Sequence, residues 1–106
     1  MILDFLLIIN NEPVFWRNIT HNLDKMADAA GIYEVLWRPE DNGITKASQC
    51  IDPLSVGLLD LVRNRAKYEA YDSHSSWGSY KHLVSFVTDV LTACCDYPDA
   101  EVSVSR

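Results

Sequence analysis

The sequence predicts an α+β fold: a small antiparallel sheet formed largely by N- and C-terminal strands, covered by about three helices. Three observations carry this reading. Residues 2–9 alternate in the manner of a strand, and so does the closing EVSVSR. Between them, apolar residues recur at every third or fourth position, the spacing of helices that each bury one face. Strands at the ends and helices in the middle place a sheet on one side of the core and helices on the other.

Each element follows from its residues. Leu3, Phe5, Leu7 and Ile9 share one face of the first strand, which turns to the core. Ile2, Asp4, Leu6 and Ile8 form the other face. It is too apolar for free solvent, so it calls for a covering helix or a second subunit, and a homodimer is expected. Asn10 to Pro13 is turn chemistry, and Val14 to Trp16 are expected to return as a short second strand. Ile19, Leu23, Met26, Ala27 and Ala30 then fall at helical spacing, with Asn18 or Thr20 as the cap and Gly31 as the stop. Residues 32–38 suit a short helix or a strand equally, and Pro39 pushes Arg38 toward an extended conformation.

After a turn at 39–43, Ile44, Ala47, Ile51, Leu54, Leu58 and Leu61 form a narrow helical seam. Pro53 interrupts it, either as a kink or as a fresh start capped by Asp52. Residues 72–79 read as a loop. The last helix runs from Tyr80 through Leu83, Val84, Val87, Val90, Leu91 and Cys94, with Ser79 as cap and Pro98 as stop. Val102 and Val104 then point inward from a short strand that pairs with the first.

At 106 residues the chain is one domain, 1–106, with room for one core. The net charge of −6 and the scattering of nine Lys and Arg argue against nucleic-acid binding, which needs clustered cations. Cys50, Cys94 and Cys95 are odd in number and poorly spaced for bridging, so all three read as reduced, apolar residues of a cytosolic protein. The apolar start carries Asp4, lacks a basic lead-in and falls short of the ~20 residues a span requires, so neither signal peptide nor membrane anchor is expected.

Catalytic signatures are lacking in the sequence. His21, His74 and His82 are far apart, and no Cys-x-x-Cys or His-Glu-x-x-His occurs, so no metal or cofactor is expected. The four glycines make no phosphate-cradling loop, and there is no nucleophile elbow. A non-enzyme is the expectation.

Three groups of residues have ligand-binding character. Asn18, Thr20, His21 and Asn22 crowd one helix start. One of them would suffice as a cap, and the others could meet a ligand. Trp37 and Arg38 offer a stacking face and a fork of donors, against the alternative of a buried indole with Arg38 and Glu40 paired at the surface. Ser76, Trp77 and Tyr80 lie around a glycine ahead of the last helix, where Trp77 either plugs the core or presents a recognition surface. Lys46 and Arg106 are the basic residues to look for nearby.

The segments NITHNLDKMADAAGIYEVLWRPE (18–40), SWGSY (76–80) and PDAEVSVSR (98–106) together resemble a family of small proteins of bacteriophages and mobile bacterial elements. Where that pattern has Asn-Gly ahead of Trp-Gly, this chain has Ser75-Ser76. The family brings no established activity, so the resemblance implies a setting, a phage-type accessory protein in the cytoplasm of a bacterial host, and no site residue. In that setting the expected function is to bind a small polar ligand, such as a nucleotide immune signal, and sequester it without turnover. The alternative is an inhibitor or adaptor docking onto a host defence protein, which one continuous acidic face would favour.

Overall fold

The computed structural model describes residues 1–72 and 79–106. The elements run β1 (Ile2–Ile9), β2 (Glu12–Thr20), α1 (Asp24–Ala29), α2 (Tyr33–Trp37), α3 (Ser48–Arg63), α4 (Arg65–Glu69), α5 (Tyr80–Asp96) and β3 (Glu101–Ser105), with 3₁₀ turns at His21–Leu23 and Pro39–Asn42. The sheet order is β2-β1-β3, both pairs antiparallel, so the strand that opens the chain lies between its neighbour and the strand that closes it. This is the α+β architecture expected from the sequence.

The β1–β2 hairpin closes through Asn10 and Asn11, whose φ values of 51° and 66° define a left-handed two-residue turn between the Ile9↔Glu12 pair. Asparagine tolerates that region better than other side-chain-bearing residues, and such a turn matches the twist of the strands it joins. β2 is much longer than the expected Val14–Trp16. Opposite Leu7 and Ile8 it carries one extra residue, Val14, a bulge that lets the pairing resume and run to Ile2↔Thr20. Ile19 therefore belongs to the strand rather than to the first turn of a helix.

Leu3, Phe5 and Leu7 are fully buried, while Ile9, expected with them, is exposed at the hairpin end. From the edges, Phe15, Val102 and Val104 pack beside them, half-buried. α5 lies against this face and buries Leu83, Phe86, Val87, Val90 and Cys94. α3 packs on α5 and contributes Cys50, Leu54 and Leu61. Cys95, read as core, points outward and is exposed; Cys50 and Cys94 are buried, in thiol–thiol contact across the two helices.

Several ends are closed by partners far away in sequence. Helix α3 starts at Ser48 because the Ala47 and Ser48 N–H groups donate to the Ala100 and Pro98 carbonyls (both 2.9 Å). Pro53 lies inside α3 instead of restarting it, so Asp52 is no cap. Ser79 does not cap α5 either: the Asp72 carboxylate accepts from the Tyr80 N–H at 2.6 Å. Among the described residues the sheet is covered by helices as expected, the long α3 and α5 together with the shorter α1, α2 and α4. Gly31 (φ 76°) divides α1 from α2, which settles residues 33–37 as a helix, and Asn64 divides α4 from α3. Arg38, expected to be extended, has φ −134° and ψ 45°. Among the described residues no helix is long and apolar enough to cross a membrane.

Candidate functional site

The 3₁₀ turn after β2 brings part of the first polar group onto α2. Thr20 caps this turn, its Oγ1 accepting from the Asn22 N–H at 3.2 Å. Asn18 has no capping role, because it lies within β2, paired with Asp4 and exposed. Asn22 is exposed. His21 turns inward and meets Trp37 edge-on, with ring centroids 6.4 Å apart and planes at 70°. Trp37 is stacked on its other side by Tyr33, with centroids 5.5 Å apart. At 2% exposure the indole is a core group and offers no free face to a ligand. The His21 Nε2 and Trp37 Nε1 atoms are both buried without a hydrogen-bond partner.

Arg38 meets the Tyr33 side chain, with Asp41 and Glu40 nearby. The expected pairing of Arg38 with Glu40 is replaced by Arg106, whose guanidinium donates to Glu40 and to the Trp37 carbonyl (2.7 Å). A hydrogen bond from its own backbone, joined by the pairing with Arg106, holds the Glu40 carboxyl below its ordinary range. Arg106 is thus a clasp between β3 and the end of α2. Tyr80 is buried and donates to the Leu61 carbonyl at 2.7 Å, which makes it a core residue. Ser76 and Trp77 lie outside the described residues.

The largest described hollow is elsewhere, on the outer side of Tyr33. It encloses about 540 Å³ and is lined by Asp24, Lys25, Asp28 and Ala29 of α1, Tyr33 and Glu34 of α2, and Tyr71. Asp24 and Asp28 are four residues apart and project from one side of α1. Gly31 then reverses the chain, so that α2 sets Glu34 and the Tyr33 ring against them. None of the three carboxylates has an ion-pair partner among the described residues; Glu34 accepts a hydrogen bond from Asn42 at 2.9 Å. The hollow therefore combines excess negative charge with two tyrosine side chains. That is the chemistry of a receptor for a cation, and it is unsuited to phosphate.

Sequence reasoning singled out the small polar residues and missed this acidic group. The signal was present, because the apolar spacing of Leu23, Met26, Ala27 and Ala30 leaves Asp24, Lys25 and Asp28 on the solvent side. A second hollow of about 440 Å³ lies between Glu40, Lys46 and Glu101. No three His, Cys, Asp or Glu side chains among the described residues gather so as to hold a metal ion. No family model, curated protein or solved structure matches the chain.

Proposed function

We propose that this is a phage-type accessory protein that acts by binding rather than by turnover, docking its acidic hollow onto a basic surface of a host protein. The observation that carries the proposal is the meeting of Asp24, Asp28 and Glu34 with the rings of Tyr33 and Tyr71 around one open space. The sequence resemblance supports the setting.

Magnitudes favour a protein partner over a small ligand. Exposed cation–π contacts and exposed ion pairs contribute about 0.5–1 kcal/mol each. Even a complete set around one guanidinium amounts to roughly millimolar affinity. Useful affinity then needs several basic side chains delivered together, as a protein surface delivers them. A nucleotide signal fits this hollow less well, because its phosphates would meet three carboxylates and one ammonium.

The test is a fluorescence-anisotropy titration with a labelled oligo-arginine peptide, beside calorimetric titrations with cyclic dinucleotides and ADP-ribose derivatives. The peptide should bind and weaken steeply with salt. The double change Asp28→Asn/Glu34→Gln should weaken it about tenfold, while Asp96→Asn/Asp99→Asn, at the far end of α5, should not. Equal loss in both variants would reduce the effect to overall charge. Binding of a dinucleotide with none of the peptide would instead favour the small-ligand reading, and a new product by mass spectrometry would replace binding with catalysis.

A further inference from the structure

Helix α3 has a second apolar stripe on the side away from the core. Val56, Leu59 and Val62 are 70%, 54% and 57% exposed, while Cys50, Leu54 and Leu61 of the same helix are fully buried. At 100° per residue, Asp52, Val56, Leu59 and Arg63 fall within about 60° of one another, along one line of the helix surface. Val62 flanks that line. Asp52 and Arg63 are exposed, and neither has an ion-pair partner among the described residues. Beside the stripe a hollow of about 320 Å³ opens between α3 and Ala30.

The order acid–apolar–apolar–base is self-complementary. When two copies of α3 lie antiparallel about a two-fold axis midway between Val56 and Leu59, Val56 faces Leu59 of the other copy. Asp52 then faces Arg63, and symmetry repeats both pairs. An isologous contact requires a patch that complements itself, and this line of residues does so in one register. We infer that the Asp52–Arg63 face of α3 is the surface through which two copies of this chain associate.

The open face of the sheet is the poorer candidate for the dimer expected from Leu6 and Ile8. Those two side chains are half-buried, and the Trp16 indole beside Leu6 is tied down by donating to Asp4 at 2.9 Å. The strand register places Asp4 and Glu101 on that face with Asn18, Thr20, Ser103 and Ser105, and the bridge between Glu101 and Lys46 already sets a lysine beside that glutamate. With Asp4 taken by Trp16 and Glu101 beside Lys46, the face has, among the described residues, no charged pair free to meet a second copy. On α3 a two-fold axis sets unlike, unpaired charges together. A single helix stripe buries less than the roughly 800 Å² per partner of a stable interface, so the dimer is a weak one.

The experiment is sedimentation equilibrium of the full chain over a wide concentration range, which reads mass and is independent of any ligand. The wild type should show a monomer–dimer equilibrium. Leu59→Glu, at an exposed position, should abolish it while leaving the circular dichroism and thermal midpoint unchanged. Asp52→Arg sets two arginines against each other twice and should weaken the dimer about tenfold. The exchange Asp52→Arg/Arg63→Asp should restore it, an outcome that only the antiparallel register produces. A wild type that is monomeric throughout, a dimer indifferent to Leu59→Glu, or failure of the charge exchange to rescue would each overturn the assignment.

Discussion

The buried hydroxyl of Tyr68 illustrates how much one side chain can depend on another. The residue is fully buried, yet its O–H donates to the Asp60 carboxylate at the protein surface and lies 3.4 Å from the Ala29 carbonyl. Burial, reinforced by the hydrogen bond to Asp60, pushes the Tyr68 phenol up to about 12. In return, the Tyr68 hydrogen bond holds the Asp60 carboxyl below its ordinary 3.8, with Asn64 donating to it at 2.7 Å. The two signs give opposite windows. The tyrosine's contribution is complete below pH 10 and is lost as pH rises toward 12, because the unfolded chain ionises first. The aspartate's contribution is complete above about pH 4 and is lost as pH falls further. Tyr68→Phe should cost about 1.5–3 kcal/mol in urea denaturation at neutral pH, the range for a hydrogen bond to a charged group. The wild-type advantage over the variant should shrink between pH 10 and 12. The pair was hidden in the sequence, since an i, i+8 relation across the break at Asn64 belongs to no single helix. Thr20 as a cap was readable, because capping is local. The Asp72 cap was not, because the chain leaves and returns before it acts.

At the level of elements, close approach decides more than propensity does. Gly57 sits in the middle of α3, where alanine is the better helix former by about 1 kcal/mol. A Cβ at that position would stand 2.1 Å from Ile32 Cγ2 and 3.2 Å from the Ala30 carbonyl oxygen. The Ile32 methyl is a branch fixed near the backbone and has little freedom to move aside. Gly57→Ala should therefore destabilise by about 1–3 kcal/mol, against its propensity, as a thermal or urea midpoint would register. The glycine is what lets α3 approach the turn between α1 and α2. The apolar seam of α3 was legible from spacing alone. What ends its helix was not: the donors at its start are satisfied by carbonyls some fifty residues later, a tertiary fact. β2 was under-read for a related reason, since the bulge at Val14 breaks the strict alternation on which strand reading depends.

For the molecule as a whole, the chain's first strand is central and its last is an edge. β3 covers Phe5 and Leu7 with Val104 and Val102, and Arg106 fastens it to α2 through Glu40 and the Trp37 carbonyl. The core is therefore incomplete until residues 101–106 are in place. A chain ending at Ala100 should lose its cooperative thermal transition by circular dichroism, and Arg106→Ala alone should lower stability by about 1 kcal/mol. This pairing of the two ends was foreseeable, because both segments alternate and each needs a neighbour. The acidic hollow was less so, because it depends on the turn angle at Gly31 and on the position of Tyr71, neither of which has a spacing rule.

A three-stranded sheet has two margins, and an unpaired margin is a template on which further chains could grow into fibrils. Here β2 is interrupted near its start by Pro13, which has no N–H to offer an incoming strand, and is distorted by the extra residue at Val14. The opposite margin is five residues long, is partly covered where the Val102 N–H donates to the Thr45 carbonyl (2.9 Å) and Lys46 bridges to Glu101, and ends beside the guanidinium of Arg106. The same irregularity that shifts the hairpin's register thus helps keep a protein with so exposed a sheet dispersed at high concentration.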